Sequence, residues 1–396
     1  MERSFAVAPE QSHRASTGHP ETERHLHRVH WTYRCARIKM QLEIRVEQVG
    51  EEHIQPYQSL SQIEYGEEAA VSQAQHLRWK FIENPQGPSV GIHLYRGGEL
   101  VARMVALAKQ FVYRGNLFKA AHIVDFLVHP EVRGMQSLLQ LVRGLRQLSG
   151  FDFLLVLAPN PAGAAVWEKF VKMRGYFDLD VAVAALRPAT LLQSAGKLRT
   201  GVLAPVLDWP WRCLLTAAAH LAGSPAHLQI DTQWPEQAEV DSMFADGWGD
   251  RIAGVRSAEF IEWRYRRSPV FRYNIFFLRV KGELSGYFVT RRTIYDGIDC
   301  QFVVDAFGSP QLTAASWRAA ARKGISIAAS DGATMSMILG NTSWGPLSAL
   351  SRFPFLTVPP RYLPRKTAVY AEWISNPGFD IRRDNFYVAL GDSDVV

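Results

Sequence analysis

The stretch VHPEVRGMQSLLQLV, residues 128–142, begins like the end of a β-strand and continues like an α-helix, with Arg133 and Gly134 at the join. A strand that runs into a helix presents unbonded backbone N–H groups and the positive end of the helix dipole, and both favour an anion. Glycine permits close backbone approach, and arginine adds a charge-assisted contact to phosphate. The join therefore predicts a site for the diphosphate of a nucleotide-like cofactor, with a plain surface turn as the alternative.

The elements around the join alternate between strand and helix. Apolar residues at three- and four-residue steps predict a helix over 135–148. The nearly all-apolar run FDFLLVLA, 151–158, is typical of a strand covered on both faces. Asn160 and Pro161 fit the N-cap and first residue of the next helix. Together with the strand predicted at 121–128, this order indicates a βαβ unit with two adjacent parallel strands.

The chain also contains an internal repeat. Residues 76–100 and 260–284 align without a gap, and each segment leads to a buried-looking strand that carries an aspartate, Asp125 or Asp305. The best matching pairs are Trp79 with Trp263, Lys80 with Arg264, Phe81 with Tyr265, Pro85 with Pro269 and Leu94 with Leu278. The sequence therefore predicts two copies of one α/β unit, joined near 190–230.

A chain of 396 residues is too long for one typical hydrophobic core. We expect an α/β protein with two tandem domains at 40–190 and 231–396, each a mixed, twisted sheet flanked by helices. A linker with an apolar helix should occupy 191–230. The polar, His-rich and Arg-rich segment 1–39 should form a disordered tail.

Composition excludes several classes of protein. A net charge of +6 is mild for this length and gives no case for a nucleic-acid partner. The three cysteines are far apart, which excludes a disulfide framework and a thiolate zinc site, and no metal is expected. Asp208, Arg212 and two prolines interrupt the apolar run 201–222, so a transmembrane segment is not expected. A reducing, cytoplasmic setting fits, and the oligomeric state stays open.

Two segments resemble the cofactor-binding segments of the GNAT superfamily of acyl-CoA N-acyltransferases: FLVHPEVRG, 126–134, and LAPNPAGAAVWEKF, 157–170. In that family an Arg- or Gln-led, glycine-rich loop opens a helix and holds the pyrophosphate of coenzyme A, and an Asn often follows the later strand. The resemblance covers most of 40–190. Through the repeat it extends more weakly over 230–396, which implies a tandem GNAT protein.

The resemblance implies acetyl-CoA as cosubstrate and direct transfer of its acetyl group to an amine of a small molecule or peptide. Backbone groups of the strand 121–128, near Leu127 and Val128, would polarise the thioester carbonyl. The implied cofactor-contacting residues are Leu127, Val128, Arg133, Gly134, Met135, Gln136, Ser137 and Asn160.

The sequence departs from the family at both joins. After Arg133 and Gly134 the family places two further small residues, whereas 135–138 reads MQSL, so the glycine-rich part is shortened or absent. After Asp305 comes FGSPQLTAASWRAAARKG, 306–323, without an Arg-Gly loop. The second domain is therefore expected to be a degenerate partner that shapes a cleft or binds substrate.

Two residues are candidates for proton transfer. Asp125 would be the general base that takes a proton from the incoming ammonium, or else a strand carboxylate satisfied by its neighbours. Trp167 stands where many family members carry a tyrosine that acts as general acid, and tryptophan cannot supply a proton at neutral pH. Tyr176 is the nearest substitute, with packing as its alternative role.

Two other functions remain open. A tandem-GNAT aminoacyl transferase would take its donor from aminoacyl-tRNA and lack a coenzyme A loop, which the shortened glycine segment favours and the modest net charge opposes. A binding or scaffold protein would have lost catalysis in both halves, which Trp167 and the missing second loop favour.

Overall fold

The computed structural model describes residues 42–194, 196, 203–221, 225–245, 249–295, 297–352, 354–363, 367–375 and 379–393. The tail predicted at 1–39 and parts of the predicted linker lie outside the described residues. We call 42–194 the first half of the chain and 225–393 the second half.

The strands are β1 Glu43–Gln48, β2 Val90–Arg96, β3 Glu99–Tyr113, β4 Asn116–Val128, β5 Phe153–Leu157, β6 Arg174–Asp178, β7 Asp180–Ala185, β8 Leu228–Asp231, β9 Ala253–Gly254, β10 Asn274–Val280, β11 Glu283–Tyr295, β12 Ile298–Gly308, β13 Met335–Gly340, β14 Leu356–Thr357 and β15 Ala368–Trp373. The α-helices are α1 Ile54–Tyr65, α2 Ala74–Phe81, α3 Met135–Leu145, α4 Pro161–Val166, α5 Pro188–Ser194, α6 Ala204–Leu221, α7 Gln237–Ala245, α8 Ala258–Ile261, α9 Ala314–Ser330 and α10 Gly345–Leu350.

Two mixed sheets flanked by helices form the fold, as the sequence predicted. The first sheet has the order β1-β2-β3-β4-β5-β15-β6, with β9 paired to β3, and the second has the order β8-β10-β11-β12-β13-β7-β14. Adjacent strands along both orders run antiparallel, except for the parallel pairs β4–β5 and β12–β13. The two sheets therefore share one arrangement, and each places its parallel pair at the same position.

The two halves of the chain exchange strands. β7 belongs to the first half but pairs with β13 and β14 in the second sheet, and β15 belongs to the second half but lies between β5 and β6 in the first sheet. Without the exchanged strand, each sheet would have a gap with unpaired backbone groups on both sides. Sheet membership therefore crosses the domain limits expected at 190 and 231.

Helix α3 covers one face of the first sheet. Its buried residues Leu141, Val142 and Leu145 pack in one cluster with Ile92 and Met104 of the sheet. The helix ends at Leu145, three residues before the predicted end, and a turn follows it. This packing fixes the start of α3 against the end of β4, where the candidate site lies.

Helix α6 contains most of the apolar run that the sequence placed in the linker. Asp208 of this helix is buried, and its carboxylate accepts hydrogen bonds from the backbone N–H groups of Ala189 and Thr190, at 2.6 and 3.2 Å. These hydrogen bonds compensate the carboxylate for the loss of water. Among the described residues, no helix combines the length and apolar character needed to cross a bilayer.

The halves meet at a pair of tryptophans that the repeat had matched. The indole N–H of Trp79 donates to the backbone carbonyl of Trp263, and the indole N–H of Trp263 donates to that of Trp79, each at 2.9 Å. Their rings stack with centroids 4.9 Å apart, and both residues are buried. The contact is reciprocal, as expected when two matching elements pack about a local two-fold axis.

Candidate functional site

The parallel strands β4 and β5 diverge. They pair only at Ala120 with Phe153, Ala121 with Leu154 and His122 with Leu155, although β4 continues to Val128. We call the resulting gap, between 123–128 of β4 and the end of β5, the wedge. The structure confirms the two adjacent parallel strands that the sequence predicted, and it shows that they separate after three residue pairs.

A β-bulge lies in β4 along the wedge. Val105 of β3 faces Val124, while Arg103 faces Leu127, so two residues of β4, Asp125 and Phe126, oppose one residue of β3. Asp125 has a positive φ of 50°, in the left-handed region. The bulge bends β4 at the place where its pairing with β5 has stopped.

One backbone amide of β4 points into the wedge. The N–H of His129 donates to the carbonyl of Val101 at 2.8 Å on the β3 side. Because successive N–H groups of a strand point to opposite edges, the N–H of Val128 faces away from β3, toward β5. Leu127, directly opposite Arg103, turns its own N–H toward β3. Of Leu127 and Val128, Val128 is therefore the one whose N–H is directed to the wedge side of β4.

At the join between β4 and α3, the start of the helix has free space around Gly134 and backbone amides that are not bonded within the helix. Gly134 is the N-cap of α3 in an extended conformation, and a Cβ built on it would meet no atom within 4 Å. The first helical bond runs from the N–H of Leu138 to the carbonyl of Gly134 at 3.1 Å, so the amides of 135–137 have no acceptor within the helix. The hydroxyl of Ser137 donates to the carbonyl of Val132 at 2.6 Å, which ties the preceding loop to the helix.

Two polar side chains of the predicted cofactor site are already engaged. Arg133 donates to Glu64 of α1 at 2.7 Å and to the carbonyl of Val128 at 3.1 Å. Asn160 caps α4, as predicted, by accepting from the N–H of Gly163 at 2.7 Å. Gln136 and Met135 are exposed on the first turn of α3. The structure thus brings the predicted residues of the first join together around the end of β4.

Asp125 is held between two cations. Lys80 of α2 donates to one carboxylate oxygen and Arg103 of β3 to the other, both at 2.8 Å. Burial opposes ionisation of this carboxyl, but the two cations outweigh burial and hold its pKa well below the usual range. A general base needs a pKa near the working pH, so these contacts favour the role of a satisfied strand carboxylate. The catalytic role of Asp125 stays a prediction.

Tyr176 lies on β6, and β15 and β5 separate β6 from the wedge. At about 4.8 Å per strand, this places its backbone about 14 Å from β4. Its ring lies under the Arg174 guanidinium, 4.5 Å from the centroid, and burial raises the pKa of its hydroxyl. Its catalytic role also stays a prediction, at a position remote from the wedge.

The strand exchange places a tyrosine beside β5 that no sequence pattern had pointed to. Tyr370 of β15 pairs with Val156 of β5, and its hydroxyl donates to Glu168 at 2.7 Å. Glu168 follows Trp167, where the resemblance expects the tyrosine of the family. Burial and Glu168 raise the pKa of Tyr370. No local signal identifies Tyr370, because Glu168, the partner of its hydroxyl, lies 202 residues earlier in the chain.

A second polar cluster lies at the outer edge of the first sheet. Glu47, His53 and His93 place one ligand atom each within 4.8 Å of one another. The N–H of Gly50 donates to Nδ1 of His53 at 3.0 Å, so the proton of a neutral His53 is on Nε2, which faces Glu47 at 3.3 Å. A metal bound to Nε2 would displace that proton. The observed hydrogen bonds therefore fit a hydrogen-bonded cluster of Glu47 and the two histidines better than a metal centre.

The second half has a comparable wedge, although its sequence has no Arg-Gly loop after Asp305. β12 and β13 pair from Cys300 with Met335 to Val303 with Ile338, and β12 then continues to Gly308. A cavity of about 550 Å³ lies between the end of β12 and the helices α9 and α10, and Arg318 and Arg352 line it. Ser309 lines it too, and among the described residues its buried hydroxyl has no hydrogen-bond partner.

Comparison with known proteins agrees with this fold. No family model matches the chain, and no curated protein sequence matches it. A conserved protein of unknown function from Enterococcus faecalis V583, named as a probable N-acyltransferase, is similar in structure with a TM-score of 0.54 and 11% identity, over 84% of this chain and 73% of that one. A GCN5-related N-acetyltransferase from Anabaena variabilis ATCC 29413 is similar with a TM-score of 0.51 and 11% identity, over the same shares, 84% and 73%. At this identity the likeness shows a GNAT-type fold.

Proposed function

We propose that the chain is an acyl-CoA-dependent N-acyltransferase that transfers an acetyl group to an amine, with its cofactor in the wedge of the first half. The observation that carries this proposal is that the β4–β5 ladder ends at His122 and Leu155, while β4 continues to Val128 and leads to an open helix start at Gly134. The wedge offers a slot between two strands, and the helix start offers unbonded amides for a diphosphate.

Each part of the cofactor has a group to meet. Acetyl-CoA is the proposed cosubstrate, and the amides of 135–137 at the start of α3 would hold its diphosphate. The N–H of Val128 would donate to the thioester carbonyl, whose oxygen gains negative charge when the amine attacks. The chain would thus act by positioning and by polarising the carbonyl, without a covalent intermediate.

Tyr370 is the proton donor that this geometry favours over Tyr176. It lies on the strand next to β5, whereas Tyr176 lies one strand further from the wedge. We expect Tyr370→Phe to lower kcat with little change in KM for acetyl-CoA and Tyr176→Phe to leave both nearly unchanged. Equal effects of the two substitutions would contradict this assignment.

The matching strand orders support a tandem arrangement of two GNAT-like units. The first unit would carry catalysis, and the second would shape the acceptor cleft, with a small-molecule or peptide amine as acceptor. The cavity beside Ser309 makes the second half the other place where a phosphate-bearing cofactor could bind. A cytoplasmic location and the lack of a nucleic-acid partner belong to this proposal as well.

A non-catalytic binding protein is the second candidate function. The observation that favours it is the ion pair between Arg133 and Glu64. Arg133 is the cation that was expected to contact phosphate, and in this structure its guanidinium is bound to a carboxylate instead. The alternative of an aminoacyl transferase that uses aminoacyl-tRNA rests on the shortened glycine segment alone. None of the contacts described above supports it further.

An assay of thiol release tests the proposed function. The full chain is incubated with acetyl-CoA and a panel of primary amines, and free coenzyme A is measured with a thiol reagent. We expect amine-dependent release that Arg133→Glu strongly reduces, whereas Arg146→Glu, an exposed change at the other end of α3, keeps it. Release without any dependence on amine, or none with any amine, would contradict the transferase.

A further inference from the structure

We propose that the interface between the two halves contains a binding site for a small carboxylate, an anion of the size of acetate. The site lies between β3, β4 and α2 of the first half and the turn after α8 of the second half, under the segment that follows β15. The inference does not depend on the proposed function, because the site uses neither the start of α3 nor the amide of Val128.

A small cavity separates the halves at this place. Its volume is about 30 Å³, and its ionisable lining residues are Lys80, Lys109, His122, Arg264 and Asp392. A cavity needs about 10–15 Å³ to hold one water, so this one has room for two waters or for the two oxygens of a carboxylate. Ligand sites occur preferentially at such interfaces between domains, where polar groups converge.

Arg264 is the cation of this cavity that lacks a carboxylate. It is 7% exposed, and its guanidinium donates to the backbone carbonyl of Ser393 at 2.8 Å and lies 5.7 Å from the centroid of the Trp79 ring. Within the part of the chain that the structure describes, Arg264 makes no ion pair. A buried charge with only neutral partners is costly, so this guanidinium favours the entry of an anion.

The buried network around the cavity carries more cations than carboxylates. Its described cations are Lys80, Arg103, Lys109, Arg256 and Arg264, and its described carboxylates are Asp125, Asp305 and Asp392. Asp125 pairs with two of these cations and Asp392 with two others, so neither is left for Arg264. Water can fill the cavity but cannot offset this positive charge, whereas an anion can.

His122 is a second polar group of the cavity without a partner. It is 2% exposed, and neither of its ring nitrogens makes a hydrogen bond to any described residue. Burial and the nearby cations Lys109 and Lys80 hold the pKa of its ring well below the usual range. The ring is therefore neutral, and its one N–H is available to donate to an anion in the cavity.

The size and the donors of the cavity select a carboxylate. A guanidinium presents parallel N–H groups that match the two oxygens of a carboxylate. A phosphate has four oxygens and needs more space than two waters occupy. The second oxygen of the carboxylate would accept the N–H of His122.

Melting of the full chain with acetate and with acetamide, at constant ionic strength, tests the site. The two probes have nearly the same shape, and only acetate is charged. We expect a saturable rise of Tm with acetate and none with acetamide. Arg264→Gln should weaken acetate binding about tenfold, because a hydrogen bond to a charged group contributes about that much. Arg264→Lys keeps the charge without the planar fork, so it should weaken binding less.

Arg266→Gln is the matched control. Arg266 lies in the same turn, but its side chain is 57% exposed and contacts Glu262, so its loss should leave acetate binding unchanged. A second measurement uses NMR of the protein labelled with ¹³C-histidine, in which His122→Gln assigns the His122 resonance. Acetate should shift this resonance in the wild type and in Arg266→Gln, and much less in Arg264→Gln. Arg264→Lys replaces Arg264→Gln if the latter does not fold by circular dichroism.

Four outcomes would overturn the proposal. Two concern the probes: no saturable effect of acetate up to tens of millimolar, or equal effects of acetate and acetamide. A His122 resonance that acetate does not shift in the wild type would place any binding elsewhere. Equal acetate binding in folded Arg264→Gln and Arg266→Gln would show an adventitious ion effect only.

The chain itself offers one competing carboxylate. Asp394 follows Ser393 in the sequence and lies outside the described residues. Acetate binding that appears only in Asp394→Asn would also overturn the proposal, because the chain's own carboxylate would then be the occupant.

Discussion

Arg133 donates to Glu64 at 2.7 Å, so the arginine that directly precedes the helix start at Gly134 is paired with a carboxylate from α1. Both side chains are partly exposed, at 55% and 34%. Exposed ion pairs contribute only about 0–1 kcal/mol. A bound diphosphate, with two charges and several oxygens, can therefore compete with Glu64 for the guanidinium.

Removal of the competing carboxylate should strengthen cofactor binding. We expect Glu64→Gln to raise the affinity for acetyl-CoA by up to about fivefold, which corresponds to the ~1 kcal/mol of an exposed pair. Isothermal titration calorimetry measures it. Glu67→Gln, an exposed change just beyond α1, serves as the control and should have no effect. A lower affinity in Glu64→Gln would show that Glu64 holds Arg133 in place for the ligand.

Asp125→Asn should destabilise the fold because it leaves Lys80 and Arg103 buried without their anion. Breaking a buried ion pair by removing one partner typically costs about 3–5 kcal/mol. The exposed pair of Arg382 with Asp384 offers a control, and Asp384→Asn should change the free energy of unfolding by no more than about 1 kcal/mol. Urea denaturation measures both. A cost below 1 kcal/mol for Asp125→Asn would show that the cations find other partners.

The same carboxylate gives a pH dependence with a defined sign. The folded-state pKa of Asp125 lies below its unfolded value, which is about 3.9. Its contribution to stability is therefore fully present above about pH 5 and is lost as the pH falls through the unfolded and then the folded pKa. The stability difference between wild type and Asp125→Asn should shrink below about pH 4. A difference that is constant between pH 3 and pH 7 would contradict the assignment.

The tryptophan pair between the halves should show energetic coupling. Trp79→Phe and Trp263→Phe each remove an indole donor and leave a buried carbonyl unsatisfied, so each should cost about 1–3 kcal/mol. Because the rings also stack, the double variant should show a coupling of about 0.5–1.5 kcal/mol in a double-mutant cycle. Trp209 is 65% exposed, so Trp209→Phe is the control and should stay within about 0.5 kcal/mol. Strict additivity would mean that the two residues do not interact.

The strand exchange predicts that the two halves stay together after the chain is cut. A protease site placed within 197–202 allows cleavage between β7 and the second half. We expect the cut halves to co-elute in native size-exclusion chromatography and to melt in one transition, since β7 and β15 each complete the other sheet. An uncut chain that carries the same site is the control. Separation of folded halves under native conditions would contradict the exchange.

The sequence predicted much of this architecture because the signals were local. The β4–α3–β5 order follows from helical periodicity, an all-apolar run and the Asn160 cap, and the repeat follows from matched residues such as Trp79 and Trp263. The strand exchange could not be predicted, since β7 and β15 are short apolar strands whose partners depend on long-range packing. For the same reason the sequence left two roles open for Asp125, whose partners Lys80 and Arg103 come from other elements.

A melting experiment with acetyl-CoA on the wild type and three variants tests the central claim, that the start of α3 beside the wedge binds the cofactor. At about a hundredfold above its dissociation constant, the ligand should stabilise the wild type by about 2.7 kcal/mol. Gly134→Ala should keep this gain because the residue is extended and its Cβ would meet no atom within 4 Å. Gly134→Asp should lose it, because a carboxylate at the helix start repels the diphosphate. No gain in the wild type, or a gain that survives Gly134→Asp but disappears in Arg318→Glu of the second half, would contradict the account.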